Sequence, residues 1–156
     1  MAGRVALHPP SKTRRTPQAA SGESQMKTTL ITDRLEQESA LLAWVRAAFK
    51  GGVPTAYPAA YVAPLSEQAD NDMDTESQRV TFRFAVEVMV KNAAQDGGGG
   101  EASNDLDDVR ADVFQAIVGW IPQADTTPVQ HVSGRLISFD AGLVVWRDEF
   151  FCVFYR

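Results

Sequence analysis

The chain predicts an α+β fold, with a mainly antiparallel four-stranded sheet and two helices packed on one face, in the order α-β-β-α-β-β. Three observations carry this reading. From Arg79 to Lys91, Val80, Phe82, Phe84, Val86, Val88 and Val90 alternate with Thr81, Arg83, Ala85, Glu87, Met89 and Lys91, the period of a strand covered on one side only. Two stretches, one on each side of it, repeat apolar residues at helical spacing. Two apolar runs near the end flank Asp140-Ala141-Gly142, a hairpin turn.

The first helix is expected from Thr32 to Lys50. Thr32 or Asp33 caps it, Glu36 stands where a capping box places an acid, and Gly51-Gly52 stop it. Ile31, Leu35, Leu42, Val45 and Phe49 share one face, and Glu38 projects into that stripe, where a carboxylate needs a partner. On the opposite side Ala40, Ala43 and Ala47 form a smooth strip flanked by Trp44. Helix propensity alone explains alanines, but a solvent-facing Trp suggests a surface that receives a neighbouring subunit.

Tyr57 to Glu67 reads as an extended segment that Pro58 and Pro64 keep at an edge or kink. The loop from Gln68 to Ser77 carries Asp70, Asp72, Asp74 and Glu76 but lacks the glycine and terminal acid of a calcium loop. It is expected to be a solvated loop. After the alternating strand, whose buried groups contribute about 1.5–3 kcal/mol each, Gly97 and Gly98 open a four-glycine connector. This run has neither the spacing nor the Lys-Ser/Thr ending of a phosphate loop.

The second helix is expected from Asn104 to Val118, with Asp105, Asp107 and Asp108 at its positive end. Leu106, Val109, Val113, Ala116 and Ile117 form its core stripe. Phe114 and Val118, with Ala111, form a second flank suited to another subunit. Strands from Val129 to Phe139 and from Leu143 to Tyr155 complete the chain. The last is apolar on both faces, as at a sheet centre or an interface.

The 156 residues suit one domain and can bury roughly 68–70 % of the unfolded surface. Residues 1–26, rich in Pro, Ser, Ala and Gly, read as a disordered basic tail, and residues 27–156 as the single folded domain. Arg4, Lys12, Arg14 and Arg15 precede no apolar segment, so the start is not a secretory signal, and no run approaches the ~20 apolar residues of a membrane helix. The net charge of −5 disfavours a surface that grips nucleic acid.

Catalytic chemistry finds little support. With only His8 and His131, no histidine-based metal site forms within one chain. A Cys152–His131 dyad lacks a basic neighbour to favour the thiolate, and no cofactor motif is present. Cys152 cannot form an intramolecular disulfide and reads as packing in an apolar strand.

A further pattern runs through the chain in order. Tyr57, Pro58, Tyr61, Pro64 and Glu67 come first, then the strand ending in Val90-Lys91-Asn92, then Gly119-Trp120 with Pro122, and finally Gly134, Trp146, Asp148 and Phe150. Over roughly Thr29 to Arg156 this resembles the tail terminator proteins of long-tailed bacteriophages. The basic N-terminal tail and the long glycine connector depart from the family pattern. The resemblance implies a structural virion protein, not an enzyme, that caps the tail tube as a ring, typically a homohexamer. Its implied partners are its own copies, the tail tube protein and the head-tail connector protein, with DNA passing through the channel without specific binding and no membrane. The ring would stop tube polymerisation and provide the head-to-tail joining surface, with the acidic and glycine loops at the ring faces. The alternatives are a head-completion or connector-adaptor protein, or a small ligand-binding α+β domain.

Overall fold

The computed structural model describes residues 26–70, 77–91 and 99–156, with side chains from 105 onward in the second helix. The tail up to Gln25, Asp72, Asp74, Glu76, Gly97 and Gly98 therefore lie outside the described residues. Two helices and five strands follow in the order α1 (Thr28–Glu38), β1 (Trp44–Ala47), β2 (Ala59–Ala69), β3 (Arg79–Lys91), α2 (Gly99–Ile117), β4 (Gln130–Asp140) and β5 (Leu143–Tyr155). One mixed sheet holds all five strands as β1-β2-β3-β5-β4. Only the β1–β2 pair is parallel.

The expected four-stranded sheet is thus corrected to five, and the expected first helix is divided. α1 starts at Thr28, so Thr32 and Asp33 lie inside it rather than capping it; the Thr32 hydroxyl donates to the Thr29 carbonyl at 2.9 Å. The chain leaves the helix after Glu38 because a distant carboxylate, Asp112 on α2, captures the backbone. The Ser39 hydroxyl donates to Asp112, as do the amides of Ala40 (3.1 Å) and Leu41 (3.2 Å). The Leu42 amide then closes onto Ser39 Oγ at 3.0 Å. These bonds replace the i−4 ladder that would extend a helix.

Beyond that turn the Ala43 amide reaches the Pro58 carbonyl, and Trp44–Ala47 pairs with Ala59–Val62. A 3-10 turn over Ala48–Lys50 follows. The Ala40–Ala43–Ala47 helical strip therefore does not exist. Ala40 and Ala43 lie in the connection and Ala47 ends β1. Glu38 is also corrected: it does not enter an apolar stripe but pairs on the surface with Arg34 at 3.0 Å.

β3 matches its expected span and faces. Val80, Phe82, Phe84, Val86, Val88 and Val90 are all buried, against Ile31 and Leu35 of α1 and Leu106, Val109, Val113 and Ile117 of α2 in one core. Its other face is less polar in its surroundings than the alternation suggests, since Ala85 and Met89 are buried too. There Arg147 of β5 donates to Glu87 across the strands. Pro64 lies beyond the β1-paired stretch, where β2 is an edge and bulges between Pro64 and Ser66, the setting that a residue without an N–H tolerates.

α2 begins at Gly99, five residues before the expected Asn104. Gly119, at φ +80, ends it. Its amide donates to the Val129 carbonyl and the Val129 amide to Trp120, both at 2.8 Å, turning the chain toward β4. The β4–β5 turn places Ala141 and Gly142 at positive φ, as a tight hairpin turn requires.

The Asp112 clamp yields a test. Asp112→Ala should lower unfolding stability by about 1–3 kcal/mol, because it strands backbone donors in the α1–β1 connection. Urea unfolding followed by circular dichroism measures this. An unchanged midpoint would show that the turn forms without the carboxylate.

Candidate assembly surfaces and the buried site that shapes them

Four residues singled out from the sequence, Gly134, Trp146, Asp148 and Phe150, meet in the structure. β5 directs Trp146, Asp148 and Phe150 to the helix face, because they oppose Val88, Val86 and Phe84 of β3. Asp148 is thus an acid at a core position, 1 % exposed. A lone buried carboxylate would be costly; this one is fully partnered. Arg110 of α2 donates to it through Nε (2.8 Å to Oδ2) and Nη2 (2.9 Å to Oδ1), while His131 Nε2 of β4 lies 3.0 Å from Oδ1. The pair is bidentate, the stronger form of an ion pair. The bond to Asp148 holds the Arg110 guanidinium above its already high pKa.

Gly134, opposite Asp148 in β4, fits for a steric reason. A Cβ there would come within 2.3 Å of Asp148 Oδ1 and 2.9 Å of Trp146 Nε1. The Arg110 guanidinium also lies over the Trp146 ring, 4.5 Å from its centroid. Trp146 Nε1 is buried without a hydrogen-bond partner among the described side chains. Phe114 packs beneath the same cluster, edge-on to Phe150 at 5.7 Å and tilted against His131 at 4.7 Å. Arg110 and His131 were not singled out for this role. The available signals were that Arg110 is the one cation in the α2 sequence and that Asp148 is a carboxylate at an apolar parity of β5.

The other residues singled out spread across the molecule. Phe114 is half-buried in this cluster, whereas Val118 is exposed at the end of α2. Trp44 lies in β1, edge-on to Tyr61 at 5.0 Å and beneath Arg46 at 5.4 Å. Tyr61 donates to the Gly52 carbonyl. The Tyr57–Pro58 peptide is cis, and Lys91 lies 5.9 Å from the Tyr57 ring centroid. Glu67 pairs with Arg156 at 3.5 Å and Asp70 with Arg79 at 2.9 Å. Trp120 packs on the core under Arg34, and Pro122 is half-buried in the turn that follows. No tight grouping of three or more metal-ligating side chains occurs among the described residues.

β4 is a surface that the sequence reading did not single out. All eleven of its residues are exposed, and it carries Val132, Leu136, Ile137 and Phe139 at the outer edge of the sheet. Leu136-Ile137 side by side, with Phe139 beyond, break the alternation of a strand with one wet face; that was the available signal.

The cluster and the lone thiol give two expectations. Asp148→Ala should cost about 1.5–3 kcal/mol by removing the charge-assisted bonds to the partly exposed Arg110, and Gly134→Ala about 1–3 kcal/mol by overpacking, both read by urea unfolding. A near-neutral result for both would mean that the cluster does not support the fold. Burial pushes the Cys152 thiol up to about 11, so a thiol reagent at pH 8 should leave the native protein unlabelled and label it fully in urea. Rapid native labelling would contradict the packing described.

The comparisons with known proteins bear on the whole chain. The family described as phage tail terminator protein matches residues 23–156. A search of curated proteins returns no match. Among solved structures, a chain of the virion of a native gene transfer agent particle superposes with a TM-score of 0.58 at 12 % identity. The match covers 83 % of this chain and 94 % of that one, a likeness of fold. Since the family match takes in every described residue, the chain belongs to the phage tail terminator protein family.

Proposed function

We propose that this chain caps the completed tail tube as a ring of its own copies, a homohexamer at the head-proximal end of the tail, assembled in the bacterial cytoplasm. As a tail terminator it is a structural component of the virion tail, and its family is not enzymatic. In this reading one ring face complements the last ring of the tail tube protein. The other offers no polymerising surface and meets the head-tail connector protein. DNA passes through the channel without specific binding, an arrangement that a net charge of −5 favours by repulsion. No cofactor enters the mechanism, which is geometric.

The observation that carries the proposal is the family match over residues 23–156. The architecture supports it. A single sheet with helices on one face leaves its other face and both edges available for neighbours, and subunits that meet through different surfaces close into a ring when the rotation allows. Trp44 on the helix-free face and Val118 at the end of α2 are contact residues in this reading, with Phe114 supporting from beneath. Asp70, Asp72, Asp74, Glu76, Gly97 and Gly98 belong to loops at the ring faces.

Deleting the gene from the phage that carries it should yield tails longer than the uniform wild-type length and few joined heads, seen by electron microscopy, with complementation restoring both. Tails of normal length with unjoined heads would instead identify a neck adaptor.

A further inference from the structure

Resting on the ring reading, we propose that successive subunits meet head to tail through the two opposite edges of the sheet. The β4 edge of one copy packs against the β1 edge of the next. The exposed apolar side chains point to this. The four most exposed large hydrophobics of the described chain are Phe49 (84 %), Val53 (80 %), Phe139 (62 %) and Leu136 (54 %). Phe49 and Val53 follow β1, whereas Leu136 and Phe139 lie on β4, and these are the two ends of the strand order. At ordinary strand spacing the edges are roughly 19 Å apart, so one subunit cannot cover both patches with itself. Each is a liability in a lone soluble chain.

The charges suit a second copy as the occupant. Arg135 and Asp140 on β4 have no ion-pair partner among the described residues. The β1 edge holds a groove of about 550 Å³ between α1 and β1 that presents both signs, including Glu36 and Lys50, likewise without ion-pair partners among the described residues. The proposed contact sets Phe49 and Val53 against Leu136 and Phe139 and brings the unpaired charges of one edge, Arg135 and Asp140, toward those of the other, Glu36 and Lys50. One chain supplies both halves of this complement. Two different patches also make the contact heterologous, the kind that propagates around a ring. Pairing of β4 with β4 would be isologous and would stop at a dimer.

The test uses full-length chains expressed in the deletion phage, with tails isolated from the lysate. The double variant Phe49→Cys with Phe139→Cys should give, on oxidation, a ladder of covalent multimers running past the dimer. Each single variant should give none, since buried Cys152 takes no part. The variants Phe49→Asp and Phe139→Asp, shown to be folded by an unchanged urea midpoint, should each enter tails roughly tenfold less than wild type, the effect of about 1.4 kcal/mol. Dimers from Phe139→Cys alone, or normal tail entry by both Asp variants, would overturn the edge contact while leaving the ring reading standing. Wild-type chain absent from tails of normal length would remove the ring reading itself, and the edge contact with it.

Discussion

The buried carboxylate of Asp148 is the constraint on which the rest of the arrangement depends. It occupies a position on β5 whose neighbours, Phe150 and Cys152, are apolar and fully buried. It is tolerable there only because Arg110 saturates both oxygens and His131 adds a third contact. The three residues come from α2, β4 and β5, so the cluster ties α2 to the edge strand β4 and to its neighbour β5. Gly134 lets β4 lie close enough for this, and the indole of Trp146 stacks beneath the guanidinium. An apolar cluster of the same volume would hold these elements together but would not set their register. A bidentate pair has one geometry, so α2 is held to β5, and the His131 contact ties β4 to the same carboxylate.

That register matters because β4 gains little from burial. Its eleven residues are all exposed, so its position rests on the β5 ladder, the Arg110–Asp148–His131 cluster and the anchor at Val129, which exchanges backbone bonds with Gly119 and Trp120. The Gly119-Trp120 turn and the Asp148 cluster therefore act on the same strand from its start and its middle. Gly119, Trp120, Gly134 and Asp148 of the family pattern thus converge on positioning this edge.

What was legible in the sequence follows from how local each signal is. β3 was readable to the residue, because strict alternation over thirteen positions needs no information from elsewhere. The hairpin turn and the core stripe of α2 were equally plain. The division of the first helix was not, since Ile31, Leu35, Leu42 and Val45 keep a helical period across a boundary imposed by Asp112, 71 to 73 residues away in sequence from the groups it binds. β1, the fifth strand of the sheet, was lost with it. The family pattern marked Gly134 and Asp148 but not Arg110 or His131, whose parts depend on tertiary proximity. Trp44 belongs to β1 and not to a helix, so its ring stands against Tyr61 of the neighbouring strand rather than beside an alanine strip.

The bulges of β4 show how an apolar edge can stand exposed without templating general strand pairing. Register slips at Val132 and at Ile137, so each stands outside the ladder. Bulges at edges twist the strand and interrupt the row of backbone donors and acceptors that would otherwise template pairing with any passing strand. Indiscriminate sheet extension is thereby disfavoured, while the side chains of Leu136 and Phe139 are still presented. What can then bind is a surface of matching shape and charge, not merely an extended chain. This suits the edge contact proposed above: a partner surface is accepted and unrelated strands are not, and such a contact closes into a ring when the rotation between subunits allows.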